Sequence, residues 1–288
     1  MPIPNLTIIG ESINDSVPST HQFFEANDMA GLKDLAVSQD HAGAGYIDVN
    51  VGAREAAFLA DMVRHVQSVT AKPLSIDTPD PAMAEAALRA YDPERAGGRI
   101  PILNSISPLR LEMFQLTRIL PFMPILLASE RVENGVGKAN HTAEQVHQSA
   151  RQLVEEAGRH GIAVDQCIID PAISPIGADS EGRFHCLMGA IRLIHADPDL
   201  QGVHMSVGLS NFSVMLPPKR ADGSPTKGPL ESAFLTLAVP LGMDHVIGSV
   251  KRKYALLDAD HPAMRCINDC LGLEGFDVIM RVQEYYAD

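Results

Sequence analysis

The chain has 288 residues, of which 45% are hydrophobic and 20% are charged, values typical of a soluble globular protein that buries a large core. Its net charge of −13 argues against general nucleic-acid binding, because that activity normally leaves a basic surface. No apolar run approaches the roughly 20 residues of a membrane span, and no basic signal-peptide segment begins the chain. The four cysteines lack paired metal-site spacings, so we expect a cytoplasmic protein.

Short apolar segments predict strands, and amphipathic segments between them predict helices. The predicted strands cover residues 6–10, 46–50, 73–77, 100–104, 124–128, 166–170, 203–208 and 244–248. The predicted helices cover residues 28–43, 55–70, 79–91, 108–120, 141–160, 183–196, 229–241 and 261–286. This alternation indicates an α/β fold, a (β/α)8 TIM barrel that forms a single domain over residues 1–288.

An open doubly wound sheet is the alternative architecture. It would require a glycine-rich phosphate-binding turn after the first strand, whereas that strand runs into GESIN, which has one glycine beside Glu11. Residues 214–229, VMLPPKRADGSPTKGP, interrupt the alternation with prolines, glycines and the bases Lys219, Arg220 and Lys227. We predict a long mobile loop insertion here, which is either functional or merely solvated.

Many of the predicted strands end in, or lead directly to, a carboxylate or an amide. In chain order these residues are Asn14, Asp48, Asn50, Asp77, Asn104, Asp170 and Asn211. Because the carboxyl ends of barrel strands meet at one face, where such folds place their chemistry, we expect one ring of polar groups around one ligand.

Asp77, Asn104 and Asp170 suggest the kind of ligand. A carboxylate accepts two adjacent N–H donors, and an amide both donates and accepts, which suits a flat heterocycle such as a pterin. Buried charged aspartates are costly unless paired, and no cation is obvious nearby, so we expect a donor-rich ligand. The alternative roles are local, with Asp77 capping the next helix and Asp170 closing a turn before Pro171.

A divalent metal would also satisfy such carboxylates. Its histidine ligands would be expected at the strand ends, but the 11 histidines are scattered, and His204 lies near the start of its strand. We therefore predict no bound metal. The segment GLSNF lacks the second glycine of a serine-nucleophile elbow, so nucleophilic catalysis is not predicted either.

The motifs IIGESIN, DVNVG, SIDT, ILNS, IDPAISP and GLSN resemble, in order and spacing, those of the methyltetrahydrofolate:corrinoid protein methyltransferases. The folate domain of cobalamin-dependent methionine synthase and dihydropteroate synthase are more distant relatives. The resemblance implies a barrel, usually a homodimer, that moves a methyl group between N5 of tetrahydrofolate and the cobalt of a corrinoid. Folate or methyltetrahydrofolate is then the substrate, and a partner protein supplies the corrinoid.

The resemblance also implies roles for single residues. Asp77, Asn104 and Asp170 match the positions that hydrogen-bond the pterin ring. Asn211 matches a mobile asparagine that approaches N5, on a turn shaped by Gly208 and Ser210. The positions that line the lower part of the cleft are matched by Glu11, Asn14, Asp48 and Asn50.

Two positions depart from patterns in these relatives. Dihydropteroate synthases have an Arg-Lys pair after the serine of this turn, where this chain has Asn211 and Phe212, so that activity is not expected. Some methyltransferases have a glutamine where this chain has Val214. The alternatives are an enzyme like dihydropteroate synthase, a non-catalytic folate-binding barrel, and an unrelated barrel lyase or aldolase. A Schiff-base aldolase would need a lysine at a strand end, and the lysines lie mostly elsewhere.

Overall fold

The protein, described over residues 3–287 by a computed structural model, alternates strands and helices along most of its length. Its strands are β1 (Thr7–Asn14), β2 (Tyr46–Asn50), β3 (Leu74–Asp77), β4 (Ile102–Ile106), β5 (Met123–Leu127), β6 (Glu130–Glu133), β7 (Val136–Ala139), β8 (Ile168–Asp170), β9 (His204–Met205) and β10 (His245–Gly248). Its α-helices are α1 (Pro18–Glu25), α2 (Met29–His41), α3 (Ala56–Gln67), α4 (Pro81–Ala90), α5 (Ala143–Arg159), α6 (Arg183–Ala196), α7 (Leu209–Ser213), α8 (Lys227–Ala238), α9 (Pro262–Cys270) and α10 (Phe276–Ala287).

Eight strands form one parallel sheet, in the order β10-β1-β2-β3-β4-β5-β8-β9. Its two ends, β9 and β10, meet only through isolated parallel bridges, Met205 with Met243 and Gly208 with Ile247. The sheet is therefore a nearly closed barrel, and the predicted fold is confirmed. None of the helices in residues 3–287 is long and apolar enough to cross a membrane.

Alternating side chains divide the core into two layers. Ile9, Ile102, Ile125 and Ile168 are fully buried and pack together as a small cluster separate from the main core. The residues that follow two of them, Leu103 and Ile169, belong instead to the main core between strands and helices. Because strand side chains alternate between two faces, the polar residues that stand two positions beyond three of these isoleucines also face the barrel interior. They are Glu11, Asn104 and Asp170.

The structure corrects several predicted elements. The segment predicted as helix 108–120 is the 3₁₀ helix Leu111–Arg118, and strand 203–208 shortens to β9. The single helix predicted over 261–286 is α9 and α10, which are separated by a turn in which Gly275 has a φ of +55°. Helices α1 and α7 and the antiparallel hairpin β6–β7 were not predicted. The hairpin turn is Asn134-Gly135, both with positive φ, and this dipeptide was an overlooked hairpin signal.

The predicted loop 214–229 is shorter than expected, because Lys227 begins α8. Its basic tip lies against α10. The Arg220 guanidinium lies 4.8 Å from the Tyr285 ring centroid and donates to the Tyr285 carbonyl oxygen over 2.7 Å, while the Ala221 N–H donates to Tyr286. Arg220 therefore anchors the loop to the last helix.

Candidate functional site

A cavity of about 630 Å³ opens at the carboxyl ends of the barrel strands. It is lined by every predicted site residue except Asn50, namely Glu11, Asn14, Asp48, Asp77, Asn104, Asp170, Gly208, Ser210 and Asn211. Strand register explains the grouping, because Asp77 lies opposite Asn104 across β3 and β4, and Asn14 lies opposite Asn50 across β1 and β2. The strand-end residues thus form one polar wall.

Asn50 acts on this wall through Asp77. Its side-chain amide nitrogen donates to the Asp77 carboxylate over 2.8 Å, and its amide oxygen accepts from the Gly52 N–H, also at 2.8 Å. Burial raises the pKa of Asp77, and the Asn50 hydrogen bond partly opposes that rise. Asp77 does not cap the next helix, because Asp80 caps α4 instead. Its carboxylate is therefore oriented toward the cavity by Asn50.

Asp48 is a second carboxyl group in this wall, and it is fully buried. Within residues 3–287, neither of its oxygens has a hydrogen-bond partner of good geometry, although Ser75 and Asn104 lie near enough to lower its pKa. Burial and the neighbouring charge of Asp77 raise that pKa well above the ordinary value. Of the two carboxyl groups, Asp48 therefore favours the protonated form more strongly, whereas Asp77 accepts a well-formed hydrogen bond from Asn50 that favours its charged form.

Asp170 combines a local role with an orientation toward the cavity. Its Oδ1 accepts from the Ala172 N–H over 2.8 Å, which closes the turn after β8 as the local interpretation predicted. Burial raises its pKa to about 6. A carboxylate with one backbone donor still has free acceptor sites, so Asp170 remains able to bind N–H groups of a ligand.

The turn that begins α7 forms the opposite wall. Ser210 Oγ donates to Glu11 Oε2 over 2.8 Å, and burial raises the pKa of Glu11. A Cβ atom on Gly208 would lie 2.9 Å from the amide nitrogen of Asn211, so this glycine leaves room for that side chain. Phe212 is buried against Phe234, at 5.4 Å between ring centroids, and anchors the turn, while Asn211 is exposed at the cavity.

Known proteins match most of this chain. The family described as pterin binding enzyme matches residues 14–248, most of the chain. The chain belongs to this family. It is 29% identical over 251 residues to the methylcorrinoid:tetrahydrofolate methyltransferase of Eubacterium limosum, with 84% of each chain covered. Its fold is similar to that of Xanthomonas albilineans dihydropteroate synthase with 4-aminobenzoic acid, at a TM-score of 0.58 and 18% identity over 88% of this chain and 91% of the other. The resemblance found in the motifs is confirmed.

The pterin-binding enzyme also has cations at its cavity, so the sequence-based statement that no cation lies nearby was wrong. Arg252 and Lys227 both line the cavity. The Arg252 guanidinium donates to the fully buried carboxylate of Glu231, which also accepts from Ser213 of α7. Lys227 donates to the Val214 carbonyl oxygen over 3.2 Å. The run KRK, which begins three residues after the end of β10, was a signal for Arg252, but nothing local marked Glu231.

A group able to hold a metal lies at the other end of the barrel. In residues 3–287, only His204, Asp244 and His245 bring three such ligand atoms together, within 4.8 Å of one another. The Nδ1 atoms of His204 and His245 lie 2.6 and 2.8 Å from the two Asp244 oxygens. These residues stand at the amino ends of β9 and β10, away from the cavity at the carboxyl ends of the strands.

Proposed function

We propose that this pterin-binding enzyme is a methyltransferase that acts between N5 of tetrahydrofolate and the cobalt of a corrinoid carried by a partner protein. The direction that we favour is the one named for the bacterial relative, from methylcorrinoid to tetrahydrofolate. The observation that carries the proposal is one cavity that joins Asp77, Asn104 and Asp170 on one wall to Asn211 on the other.

The strand-end wall suits the pterin ring. Two carboxylates accept from its neighbouring N–H and amino groups, and the Asn104 amide complements a carbonyl or ring nitrogen. Asp77 and Asp170 are half-buried with few protein donors, so part of their desolvation is uncompensated without a ligand. A ligand that supplies donors would recover that free energy, and this gives the ring both affinity and a fixed orientation.

The opposite wall suits the reacting nitrogen. In the proposed direction, the cobalt–carbon bond breaks, its electron pair stays with cobalt, the N5 lone pair bonds the methyl carbon, and N5 loses its proton. Glu11 has a pKa raised by burial and accepts a hydrogen bond from Ser210, the residue before Asn211, so it is a titratable group held at this turn. We assign to Glu11 the exchange of this proton, directly or through water.

Asn211 has a different role, because a neutral amide cannot exchange a proton at useful pH. It donates or accepts a hydrogen bond at N5 and stabilises the charge that develops there. Such preorganised dipoles are typically worth about 3 kcal/mol in the transition state, equivalent to about a hundredfold in rate. The corrinoid itself is a substrate delivered to the cavity mouth, so its chemistry requires no nucleophile from this chain.

The direct experiment mixes the protein with tetrahydrofolate and methylcobalamin under anaerobic conditions and follows corrinoid absorbance. We expect conversion to cob(I)alamin that depends on both the protein and tetrahydrofolate. Binding of tetrahydrofolate without any methyl transfer, also with the protein-bound corrinoid, would indicate a non-catalytic binding barrel instead.

Asn211→Ala separates binding from catalysis. We expect methyl transfer to slow about a hundredfold while affinity for tetrahydrofolate changes only a fewfold, because the amide contact strengthens in the transition state. Stopped-flow absorbance and calorimetry measure the two effects. Asn268→Ala, at an exposed site on α9, is the matched control and should change neither. Equal losses of rate and affinity would make Asn211 a plain binding residue.

A further inference from the structure

A second cavity, of about 570 Å³, lies beside the pterin cavity at the same end of the barrel. Its walls are the loop around Pro218 and Pro225, the amino-terminal turn of α8, and the segment that follows β10. Lys227 and Arg252 line both cavities. A ligand long enough to pass these two side chains would therefore occupy both spaces.

The second cavity is basic although the protein is acidic. Lys227, Arg252, Lys253 and His261 line it, whereas none of the aspartates and glutamates that the structure describes does so. His261 Nδ1 accepts from the Ala263 N–H, so its other ring nitrogen is available as a donor. In a chain of net charge −13, a concave surface of this composition selects for an anion.

The helix and the remaining charge distribution favour the same ligand chemistry. The first turn of α8 lines the cavity, and its N-cap residue Thr226 makes no side-chain capping bond, so the positive end of the helix is directed there. Burial and the charge of Arg252 lower the pKa of Lys227. Glu231 neutralises part of Arg252 from behind, but it does not line the cavity. The cations are therefore only partly compensated.

We propose that the second cavity binds the anionic tail of the same substrate, a chain of γ-linked glutamates on tetrahydrofolate, while the pterin ring occupies the first cavity. The inference rests on the proposed function and names its substrate class as a conjugated folate. The tail carries several carboxylates at one end of a molecule whose pterin is at the other. A space of 570 Å³ is within the usual range for a ligand site and accommodates more than one glutamate.

The test compares tetrahydrofolate bearing one glutamate with tetrahydrofolate bearing three, by calorimetry at low ionic strength. For the unaltered protein we expect the triglutamate to bind about tenfold more tightly, since each added carboxylate forms a partly exposed ion pair. Added salt should reduce this preference, because it screens such pairs. The monoglutamate should bind with an affinity that depends mainly on the pterin contacts.

Lys253→Glu and Lys251→Glu form a matched pair of variants. Lys253 lines the second cavity but not the pterin cavity, whereas Lys251 is exposed two residues earlier and lines neither of the two. Both variants replace a lysine by a glutamate and therefore change the net charge equally. We expect Lys253→Glu to abolish the preference for the triglutamate and Lys251→Glu to retain it. Neither variant should alter affinity for the monoglutamate by more than a fewfold.

The outcomes separate this inference from the proposed function. Equal affinities for the two folates in the unaltered protein would overturn the inference but leave the methyltransferase proposal standing. Failure of both folates to bind would overturn both. If Lys253→Glu slowed transfer from a corrinoid protein but kept the triglutamate preference, the basic surface would be a protein-docking site, and the inference would be wrong.

Discussion

The two ends of the barrel hold their carboxyl groups differently. At the carboxyl ends of the strands, Asp48 is buried and Asp77 and Asp170 are half-buried, all three have few donors, and their pKa values are raised. At the amino ends, the pKa of Asp244 is held well below its usual value because His204 and His245 bond both of its oxygens. The first three carboxyl groups have acceptor sites that a ligand could fill, whereas Asp244 already has a partner on each oxygen. The contrast distinguishes the proposed binding site from a structural clasp formed by His204, Asp244 and His245, although both are clusters of titratable groups.

Of the variants considered, Asp170→Asn should change the free energy of unfolding most. Whether the variant is more or less stable than the unaltered protein tests the difference between the two ends of the barrel. The folded protein holds the Asp170 proton up to a pH of about 6, so the free energy of unfolding falls as pH rises from about 4 to about 6. Above that range, the ionised Asp170 lowers the free energy of unfolding by about 3 kcal/mol relative to mildly acidic pH. Asparagine retains an acceptor for Ala172 but carries no charge.

We therefore expect Asp170→Asn to be more stable than the unaltered protein without ligand, by about 1–3 kcal/mol at neutral pH, while its tetrahydrofolate affinity drops strongly. Urea unfolding at mildly acidic and at neutral pH measures this difference. A variant that is destabilised at neutral pH would show that Asp170 is a structural residue.

Asp244→Asn should lower the free energy of unfolding, whereas Asp170→Asn should raise it. The depressed pKa of Asp244 contributes stability above about 3.8 that is lost as pH falls, and the raised pKa of His204 contributes stability below about 6.5 that is lost as pH rises. The clasp is thus strongest between these limits. Because Asp244 is partly exposed, we expect a loss of about 1–2 kcal/mol near pH 6 and a smaller loss near pH 8. Unchanged urea midpoints at both pH values would show that the contacts of Asp244 with His204 and His245 do not stabilise the fold.

Asn50→Ala should have the smallest effect. It removes the donor that orients Asp77, a hydrogen bond worth about 1 kcal/mol, so tetrahydrofolate should bind about fivefold more weakly. Calorimetry measures the affinity, with Asn268→Ala as the control at an exposed asparagine. Affinity equal to that of the control would mean that Asp77 is held by the strand alone.

The sequence predicted the site residues because side chains along a strand alternate between two faces, a repeat of only two residues. An isoleucine followed two residues later by a polar group, as in Ile102–Asn104 and Ile168–Asp170, places both inside a parallel barrel, and this needs no knowledge of distant contacts. Asn50 was assigned to the cleft, but whether it lines the cavity or supports Asp77 depends on a contact across strands that no local pattern determines.

Arg252 and Lys227 were not predicted at the cavity, because their positions depend on contacts between distant segments. Arg252 meets Glu231 across 21 residues of chain, and Glu231 stands in a helix whose sequence gives no sign that its carboxylate is buried. The break between α9 and α10 and the hairpin turn at Asn134-Gly135 both carry local glycine signals, although neither was predicted. Contacts between distant segments therefore required the structure.

Calorimetric titration of tetrahydrofolate into the unaltered protein, Asp77→Asn and Asp244→Asn tests the central claim most directly. The two variants make the same chemical change at opposite ends of the barrel. We predict that Asp77→Asn weakens binding about 10- to 100-fold, as expected for losing a charged acceptor, and that Asp244→Asn binds like the unaltered protein. Unweakened binding to Asp77→Asn, or an equal loss in both variants, would contradict the assignment of the pterin to the cavity at the carboxyl ends of the strands.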